Sequence, residues 1–367
     1  MSLGEPLHAV PDEGPILITG GAGFIGSNLA HRLAGEGRRV RIFDSLARAG
    51  VAGNLEWLRA RHGALIEPLL ADIRDASALD AATRGIAGAF HLAAQVAVTT
   101  SMDDPRSDLE INILGTFHLL EAIRRHVPQA PVIFASTNKV YGDLAEYAMR
   151  PSGEGHVPEE HALAIYGVSE AQPLDFHTPY GCSKGAADQY VLDYARSFGL
   201  RAAVLRMSCI YGQRQMGTED QGWVAHFLIR ALEGHPITLF GDGRQVRDIC
   251  DVGDTCTAYL AALRGIDSIA GRAFNWGGGP ANAVSLLGLI EEIGTIVGRE
   301  PTVEFARWRP GDQRWFVADT RRIDAALGLS PRKHWHEGLR DLAHWLSEER
   351  GLPLSLPQER PKQAALL

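Results

Sequence analysis

Ile16-Leu17-Ile18-Thr19 runs into Gly20-Gly21-Ala22-Gly23-Phe24-Ile25-Gly26 and on into Ser27-Asn28-Leu29-Ala30-His31-Arg32-Leu33, and this stretch decides the fold. The opening apolar run has the character of a buried parallel strand, and the closing run reads as helix. The glycines between them satisfy Gly-x-Gly-x-x-Gly from Gly21 and Gly-x-x-Gly-x-x-Gly from Gly20. Glycine suits such a link because the chain must turn tightly, admit a pyrophosphate to its backbone and pack the helix close to the strand. The helix N-terminus then presents free N–H groups to an anion.

A second apolar run, Val40-Arg41-Ile42-Phe43, ends in Asp44, at the distance where a carboxylate accepts hydrogen bonds from an adenosine ribose. Strand, glycines, helix and acid in this order predict dinucleotide binding. Asp44 repels a 2′-phosphate, which favours NAD over NADP, while Arg41 and Arg48 nearby pull the other way. Further downstream stands Tyr180-Gly181-Cys182-Ser183-Lys184. On a helix, residues four apart share one face, so Tyr180 and Lys184 can enter one pocket. An ammonium beside a phenol favours phenolate, which would make Tyr180 a usable base.

The chain has 367 residues, 45% apolar and 22% charged, the composition of an ordinary globular protein large enough for one big domain or two smaller ones. A formal net charge of −8 argues against a nucleic-acid partner. No apolar run approaches ~20 residues, so no membrane span is expected, and Met1–Gly14 lacks the pattern of a signal peptide. Four cysteines (Cys182, Cys209, Cys250, Cys256) and fourteen scattered histidines show no metal-ligand spacing. Free thiols, a cytoplasmic location and no metal are the expectations.

From Pro15 to Ala135 short apolar runs alternate with helical patterns. Strand candidates are Ala64–Leu70, Ala87–Leu92 and Pro131–Ala135, and Arg106–Arg125 reads as one helix with Leu109, Ile113, Leu114, Phe117, Leu120 and Ile123 on its apolar positions. The alternation predicts an α/β fold, a Rossmann-like doubly wound parallel sheet with a smaller mixed C-terminal substrate lobe. The stretch from Tyr141 to Thr178 shows no clear periodicity, a helix starts at Pro179, and Ala202–Met207 is a strand. The dinucleotide-binding domain is assigned to 15–210 and the substrate lobe mainly to 211–350, part of it returning to the first domain. Residues 1–14 and 351–367 are expected to be loosely ordered tails.

With these residues quoted, the sequence from about 15 to 345 resembles the extended short-chain dehydrogenase/reductase family, within it the nucleotide-sugar epimerases. The resemblance rests on Thr19 through Gly26, Asp72-Ile73, His91-Leu92-Ala93-Ala94, Ser136-Thr137 and Tyr180-x-x-x-Lys184. The runs Ser136-Thr137-Asn138-Lys139-Val140-Tyr141-Gly142-Asp143, Pro179 through Tyr190 and Asp220-Gln221-Gly222-Trp223 are similar to the CDP-paratose 2-epimerase group. The resemblance implies tightly held NAD, regenerated each turnover, a nucleotide-sugar substrate with a CDP-sugar favoured, a homo-oligomer and a place in polysaccharide biosynthesis. It also implies roles. Gly20, Gly23, Phe24, Ile25 and Gly26 would hold the pyrophosphate, Asp44 the ribose, and Asp72 with Ile73 the adenine. Leu92, Ala93 and Gln95 would line the cofactor, with Asn112 as buttress, and Lys184 would bind the nicotinamide ribose. Thr137 aligns with the family's hydroxyl residue, Ser136 being the second choice. Arg247 and Arg314 match phosphate- and nucleotide-binding positions.

Removing hydride from a secondary alcohol needs a base for the hydroxyl proton and an oxidised nicotinamide for the hydrogen on carbon. Tyr180, Thr137 and Lys184 are the catalytic candidates. Epimerisation further requires a firmly held nucleotide and a sugar free to turn. Arginine suits the pyrophosphate because its planar fork bonds phosphate bidentately. Asn138 is a further substrate-binding candidate, and Gln221 and Trp223 either contact sugar or nucleotide or pack. Related 4,6-dehydratases carry Asp-Glu directly after the Thr, where this chain has Asn138-Lys139, which disfavours dehydration. The readings left open are a 4-epimerase on a UDP-sugar, a nucleotide-sugar reductase, and a non-catalytic NAD-binding regulator.

Overall fold

The computed structural model describes residues 14–309 and 311–354. Most of the two expected tails, 1–13 and 355–367, lies outside the described residues. Seven strands form one sheet: β1 (Ile16–Thr19), β2 (Val40–Asp44), β3 (Ile66–Leu70), β4 (Gly88–His91), β5 (Val132–Thr137), β6 (Ala202–Met207) and β7 (Ala273–Trp276). Their order is β3-β2-β1-β4-β5-β6-β7. Every pairing is parallel. Strand order reverses between β1 and β4, and the crevice outside the carboxyl ends of the strands at such a switch is where α/β folds bind ligands.

Apolar side chains cover both faces of the sheet, which explains the near-continuous hydrophobic runs of β1, β4 and β5. Two glycines make the first turn possible. Gly20 has φ +69°, and a Cβ there would sit 2.7 Å from the Ala93 backbone nitrogen. A Cβ on Gly26 would lie 2.3 Å from the Gly20 carbonyl oxygen, so the helix Phe24–Gly35 can approach the turn only with glycine there.

A second apolar cluster holds the C-terminal lobe, built from the helices Trp223–Glu233, Leu286–Val297 and Trp335–Arg350 around short strands. Val246–Asp251 is the hub of these strands, pairing antiparallel with Ala283–Ser285 and parallel with Trp315–Phe316 and Cys209–Tyr211. Between the lobe's segments the chain returns to the main sheet, as helix Val252–Arg264 and as β7.

Two segments differ from their sequence reading. The helix expected over Arg106–Arg125 is interrupted: Pro105–Leu109 is α-helical, Glu110–Leu114 forms a π-helical turn, and α-helix resumes over Gly115–His126. Of its apolar positions, Leu120 and Ile123 are buried, but Leu109, Leu114 and Phe117 are exposed. The wider turn changes the helical phase, so one apolar stripe becomes two. The stretch 142–178 is also more ordered than its lack of periodicity suggests. It holds the hairpin Met149–Ser152/Gly155–Pro158 and the helix His161–Tyr166, and Leu163 and Val168 join a local apolar cluster with Trp315 and Phe316. Elements this short carry no readable period.

Candidate active site

One cleft of about 760 Å³ opens at the carboxyl ends of β1, β2, β4 and β5 and is closed on its far side by the lobe. Gly20, Gly23, Phe24, Ile25 and Gly26 line it, followed by Asp44, Asp72 and Ile73. So do Leu92, Ala93, Gln95, Ser136 and Thr137, together with Tyr180 and Lys184. From the lobe side Gln221 and Trp223 face the same cleft.

The first helix begins after Gly23, which supplies no side-chain cap, so its first-turn amides remain for an anion. Asp44 accepts hydrogen bonds from the backbone N–H groups of Ala22 (3.0 Å) and Leu46 (2.9 Å), which aims the carboxylate across the glycine turn. Asp72 is paired with Arg74 at 2.7 Å, and that guanidinium holds the carboxyl below its ordinary range. An anion-ready helix end, a carboxylate one strand away and a cleft of this volume fit a dinucleotide.

The floor of the cleft is set by buried hydrogen bonds whose sense can be deduced. The Thr116 hydroxyl donates to the Asn112 carbonyl at 2.6 Å, so it accepts from His91 Nε2–H at 2.9 Å. His91 Nδ1 therefore accepts from the Thr19 hydroxyl at 2.7 Å. Burial pushes this imidazole down to about 3, so it is a neutral strut between β1, β4 and the following helix. Asn112, on the π turn, is buried and does not line the cleft. Its Oδ1 accepts from Gln95 N–H (2.9 Å), and its Nδ2 donates to the Gln95 carbonyl (3.1 Å), to Asp108 (3.1 Å) and to Ser183 (2.9 Å). π turns recur at functional sites because they redirect such side chains.

Tyr180 and Lys184 lie on the helix Thr178–Phe198, where both are buried. Thr178 enters it with φ +64°, a strained conformation for a β-branched residue and one that clusters at active sites. The Tyr180 amide donates to Ser101 Oγ at 3.2 Å, which fixes the helix start. Burial pushes the Tyr180 phenol up to about 12, a hydrogen bond with Thr137 opposes this, and the negative charge of Asp108 adds to it. Lys184 donates to the Ala135 carbonyl at 2.7 Å and lies 4.2 Å from the centre of the Phe134 ring. Burial pulls its ammonium down to about 7, against the charges of Asp188 and Asp108. The expected lowering of Tyr180 by Lys184 is therefore not what this arrangement shows. Desolvation, which penalises the charged form of each group, is the largest cause at both.

Ser136 and Thr137 differ in their partners. Both line the cleft, but Ser136 donates its hydroxyl to Asp188 at 2.8 Å, whereas the Thr137 hydroxyl donates to Asn138 at 3.3 Å and favours the charged form of Tyr180.

Three predicted substrate residues stand elsewhere. Asn138 donates to Gln313 at 3.0 Å and does not line the cleft. Arg247 is buried with its guanidinium donating to Asp312 (2.8 Å) and to the Val246 (2.8 Å) and Gln313 carbonyls. Arg314 is exposed, and its carbonyl accepts from Val246 N–H at 3.0 Å. Neither arginine reaches the cleft wall, because Arg247 is consumed by the 312–313 segment and Arg314 alternates outward from it. Trp223 lines the cleft and also packs, 5.5 Å from Phe227 with its indole N–H 3.3 Å from Cys209 Sγ.

The sequence does not single out Arg309, and it marks Arg48 only for its place near Asp44. Arg309 stacks 3.7 Å over Phe240 and contacts Glu219 and the cleft-lining Asp220 (3.4 Å), and its place two residues before Gly311-Asp312 was the only signal. Arg48 lines the cleft near Asp44 and is exposed there. No group of potential metal ligands occurs among the described residues. No described helix is long and apolar enough to cross a membrane.

Residues 16–277 match the NAD dependent epimerase/dehydratase family. A CDP-paratose 2-epimerase of Salmonella typhi is 42% identical over 342 residues, covering 90% of this chain and 99% of that relative. Among solved structures, the UDP-glucose 4-epimerase of Thermotoga maritima with UDP-glucose matches with a TM-score of 0.78 at 29% identity, over 92% of this chain and 99% of that one. The Thermus thermophilus UDP-glucose 4-epimerase in complex with NAD matches at 0.74 and 31% identity, over 90% and 98%. The chain belongs to the NAD dependent epimerase/dehydratase family, within the extended short-chain dehydrogenase/reductases. It is an NAD-dependent nucleotide-sugar epimerase.

Proposed function

We propose that this enzyme inverts C2 of a CDP-deoxyhexose, interconverting CDP-paratose and CDP-tyvelose. The observation that carries the reading is the fate of Asn138 and Lys139. Where a dehydratase would place an acid and a base, these side chains turn from the cleft, to Gln313 at 3.0 Å and to the Gly311 carbonyl at 3.0 Å. No acid–base pair is left there to expel a hydroxyl, so oxidation followed by re-reduction is the chemistry the site supports. The 42% identity to a CDP-paratose 2-epimerase supports C2 and the CDP moiety.

Gly20 through Gly26, Asp44, Asp72 and Gln95 hold NAD, which when bound supplies the hydride acceptor at its oxidised nicotinamide. Tyr180 takes the proton of the reacting hydroxyl. Thr137 hydrogen-bonds the oxygen as it passes from alcohol to carbonyl. Lys184, held by the Ala135 carbonyl, orients the cofactor ribose and gives its charge to the site. Gln221 and Trp223 bound the sugar's turning space.

The test is a panel of CDP-, UDP-, GDP- and dTDP-sugars incubated with enzyme in D2O and followed by proton NMR. CDP-paratose should be epimerised with no deuterium entering C2, because the same hydrogen leaves and returns. Substantial deuterium at C2 would overturn the hydride route, and turnover confined to C4 of a UDP-sugar would overturn the C2 assignment.

The enzyme acts in the cytoplasm as a homo-oligomer on this reading. Leu109, Leu114 and Phe117 are exposed on one helical segment, and Tyr190 is exposed on the helix packed beside it. A second copy is the natural cover for such a face. Light scattering should give the mass of at least two chains, and Phe117→Glu should lower it; a wild-type mass of one chain would rule the oligomer out.

A further inference from the structure

The segment 213–216, between the strand Cys209–Tyr211 and the helix Trp223–Glu233, is fastened to the glycine turn by two asparagine side chains. Asn28 Nδ2 donates to the Phe24 carbonyl at 2.9 Å and to the Gln213 carbonyl at 3.0 Å. Asn54 Nδ2 donates to the Ala22 carbonyl at 3.1 Å and to the Arg214 carbonyl at 3.3 Å. A carbonyl can only accept, so each amide has one permitted orientation and divides its two N–H groups between the turn and the segment. Asn54 Oδ1 is buried without a partner, so this side chain is placed for its N–H groups alone.

Arg214 has φ +68°, a conformation that a non-glycine residue keeps only where its surroundings enforce it. Its guanidinium lies 4.1 Å from the centre of the Trp57 ring and 5.4 Å from that of Trp345, with Glu349 at 3.7 Å. Trp57 stands on the helix Val51–His62 beside the main sheet, and Trp345 and Glu349 on the helix Trp335–Arg350 of the lobe, so one side chain pins the segment to both. Gln215 lines the cleft, with its Nε2 donating to the Ile210 carbonyl at 3.2 Å. Met216 packs against Gly50, where an added Cβ would sit 2.8 Å from its Cγ. Gly50 ends the connection whose Ser45, Ala47 and Arg48 line the cleft, so the segment meets both sides of the rim at the glycine turn.

We propose that residues 213–216 are a strap that closes this rim of the cleft over NAD, with Arg214 as the residue that holds it shut. The dinucleotide passes the rim only when the strap parts from the turn. An epimerase returns hydride to the sugar from the same cofactor, and a strap tied to the glycine turn keeps that cofactor in place while the sugar rotates. The proposal rests on the cleft holding NAD and not on which carbon is inverted.

The experiment measures release of isotopically labelled NAD from loaded enzyme into an excess of unlabelled NAD. Arg214→Gly removes the guanidinium and accepts the positive φ without strain. It should speed release by about tenfold, the effect of losing one partly desolvated cation–π contact. A second variant ties the strap to the rim. A Cβ on Gly50 would stand 3.6 Å from Met216 Cβ, a separation suited to a disulfide. In Gly50→Cys combined with Met216→Cys, release should slow severalfold on oxidation and recover on reduction, with oxidised wild type as the control. Unchanged release in Arg214→Gly, or equal release from the oxidised and reduced pair, overturns the strap. Hydrogen exchange of the β1 amides in Arg214→Gly separates opening of the strap from unfolding. Release much faster than that exchange supports the strap, whereas release that keeps pace with it means that the cofactor leaves by unfolding and overturns it. Should the cysteine pair fail to fold, Arg214→Gly with hydrogen exchange decides the matter alone. Wild-type enzyme that takes up no labelled NAD would instead overturn the cofactor assignment on which the strap rests.

Discussion

Tyr180→Phe is expected to lower kcat by about 10²–10⁴-fold, the usual worth of a positioned acid–base group. The ring keeps its packing, since the change removes one hydroxyl from a buried side chain, and the helix start is held independently by the bond from the Tyr180 amide to Ser101 Oγ at 3.2 Å. The cofactor cradle at Gly20, Gly23 and Gly26 is untouched. Acid denaturation of the variant should therefore release as much NAD as the wild type, and its circular dichroism should be unchanged. Loss of bound NAD in parallel with turnover would mean that Tyr180 holds cofactor rather than proton, and retained turnover would mean that another group is the base.

The largest effect on stability is expected from Asp188→Ala. Asp188 accepts from Arg206 Nε and Nη2, both at 2.9 Å, and from the Ser136 hydroxyl at 2.8 Å, while Arg206 also donates to the Tyr141 hydroxyl at 3.0 Å. Both charges are buried. Deleting one partner of such a pair leaves the other charge uncompensated in a low-dielectric interior and costs about 3–5 kcal/mol. That is a large part of the ~5–15 kcal/mol by which a folded protein is stable. The denaturant midpoint should fall accordingly, and Asp188→Ala combined with Arg206→Met should recover part of the loss because no lone charge remains. A change below about 0.5 kcal/mol, as for an ordinary surface substitution, would mean that water reaches the pair.

The arrangement also explains why this helix carries Tyr180, Lys184 and Asp188 at four-residue intervals. Tyr180 faces the cleft, Lys184 reaches the Ala135 carbonyl at 2.7 Å, and Asp188 anchors the helix to β6 through Arg206. The proposed catalytic pair and its anchor are one stripe of a single helix.

What the sequence by itself determined was the local chemistry. Strand, glycine turn and helix from Ile16 to Leu33, the acid at Asp44 and the Tyr180–Lys184 spacing are each written in contiguous residues with a short period, so fold class and cofactor could be read directly, and Tyr180 and Lys184 could be placed on one helical face. What only the tertiary structure decided is everything that depends on which distant segment arrives beside a residue. Ser136 and Thr137 are equivalent as neighbours in sequence, and they separate only because Asp188, 52 residues away, takes the Ser136 hydroxyl. Arg247 looked free to bind phosphate until Asp312, 65 residues on, was found to occupy its guanidinium. The expected acidification of Tyr180 reversed for the same kind of reason, since burial is set by the whole packed site and opposes both charges. Asn138 turned from a substrate contact into a partner of Gln313, 175 residues away, because a buried amide must satisfy its hydrogen bonds with whatever the fold brings to it.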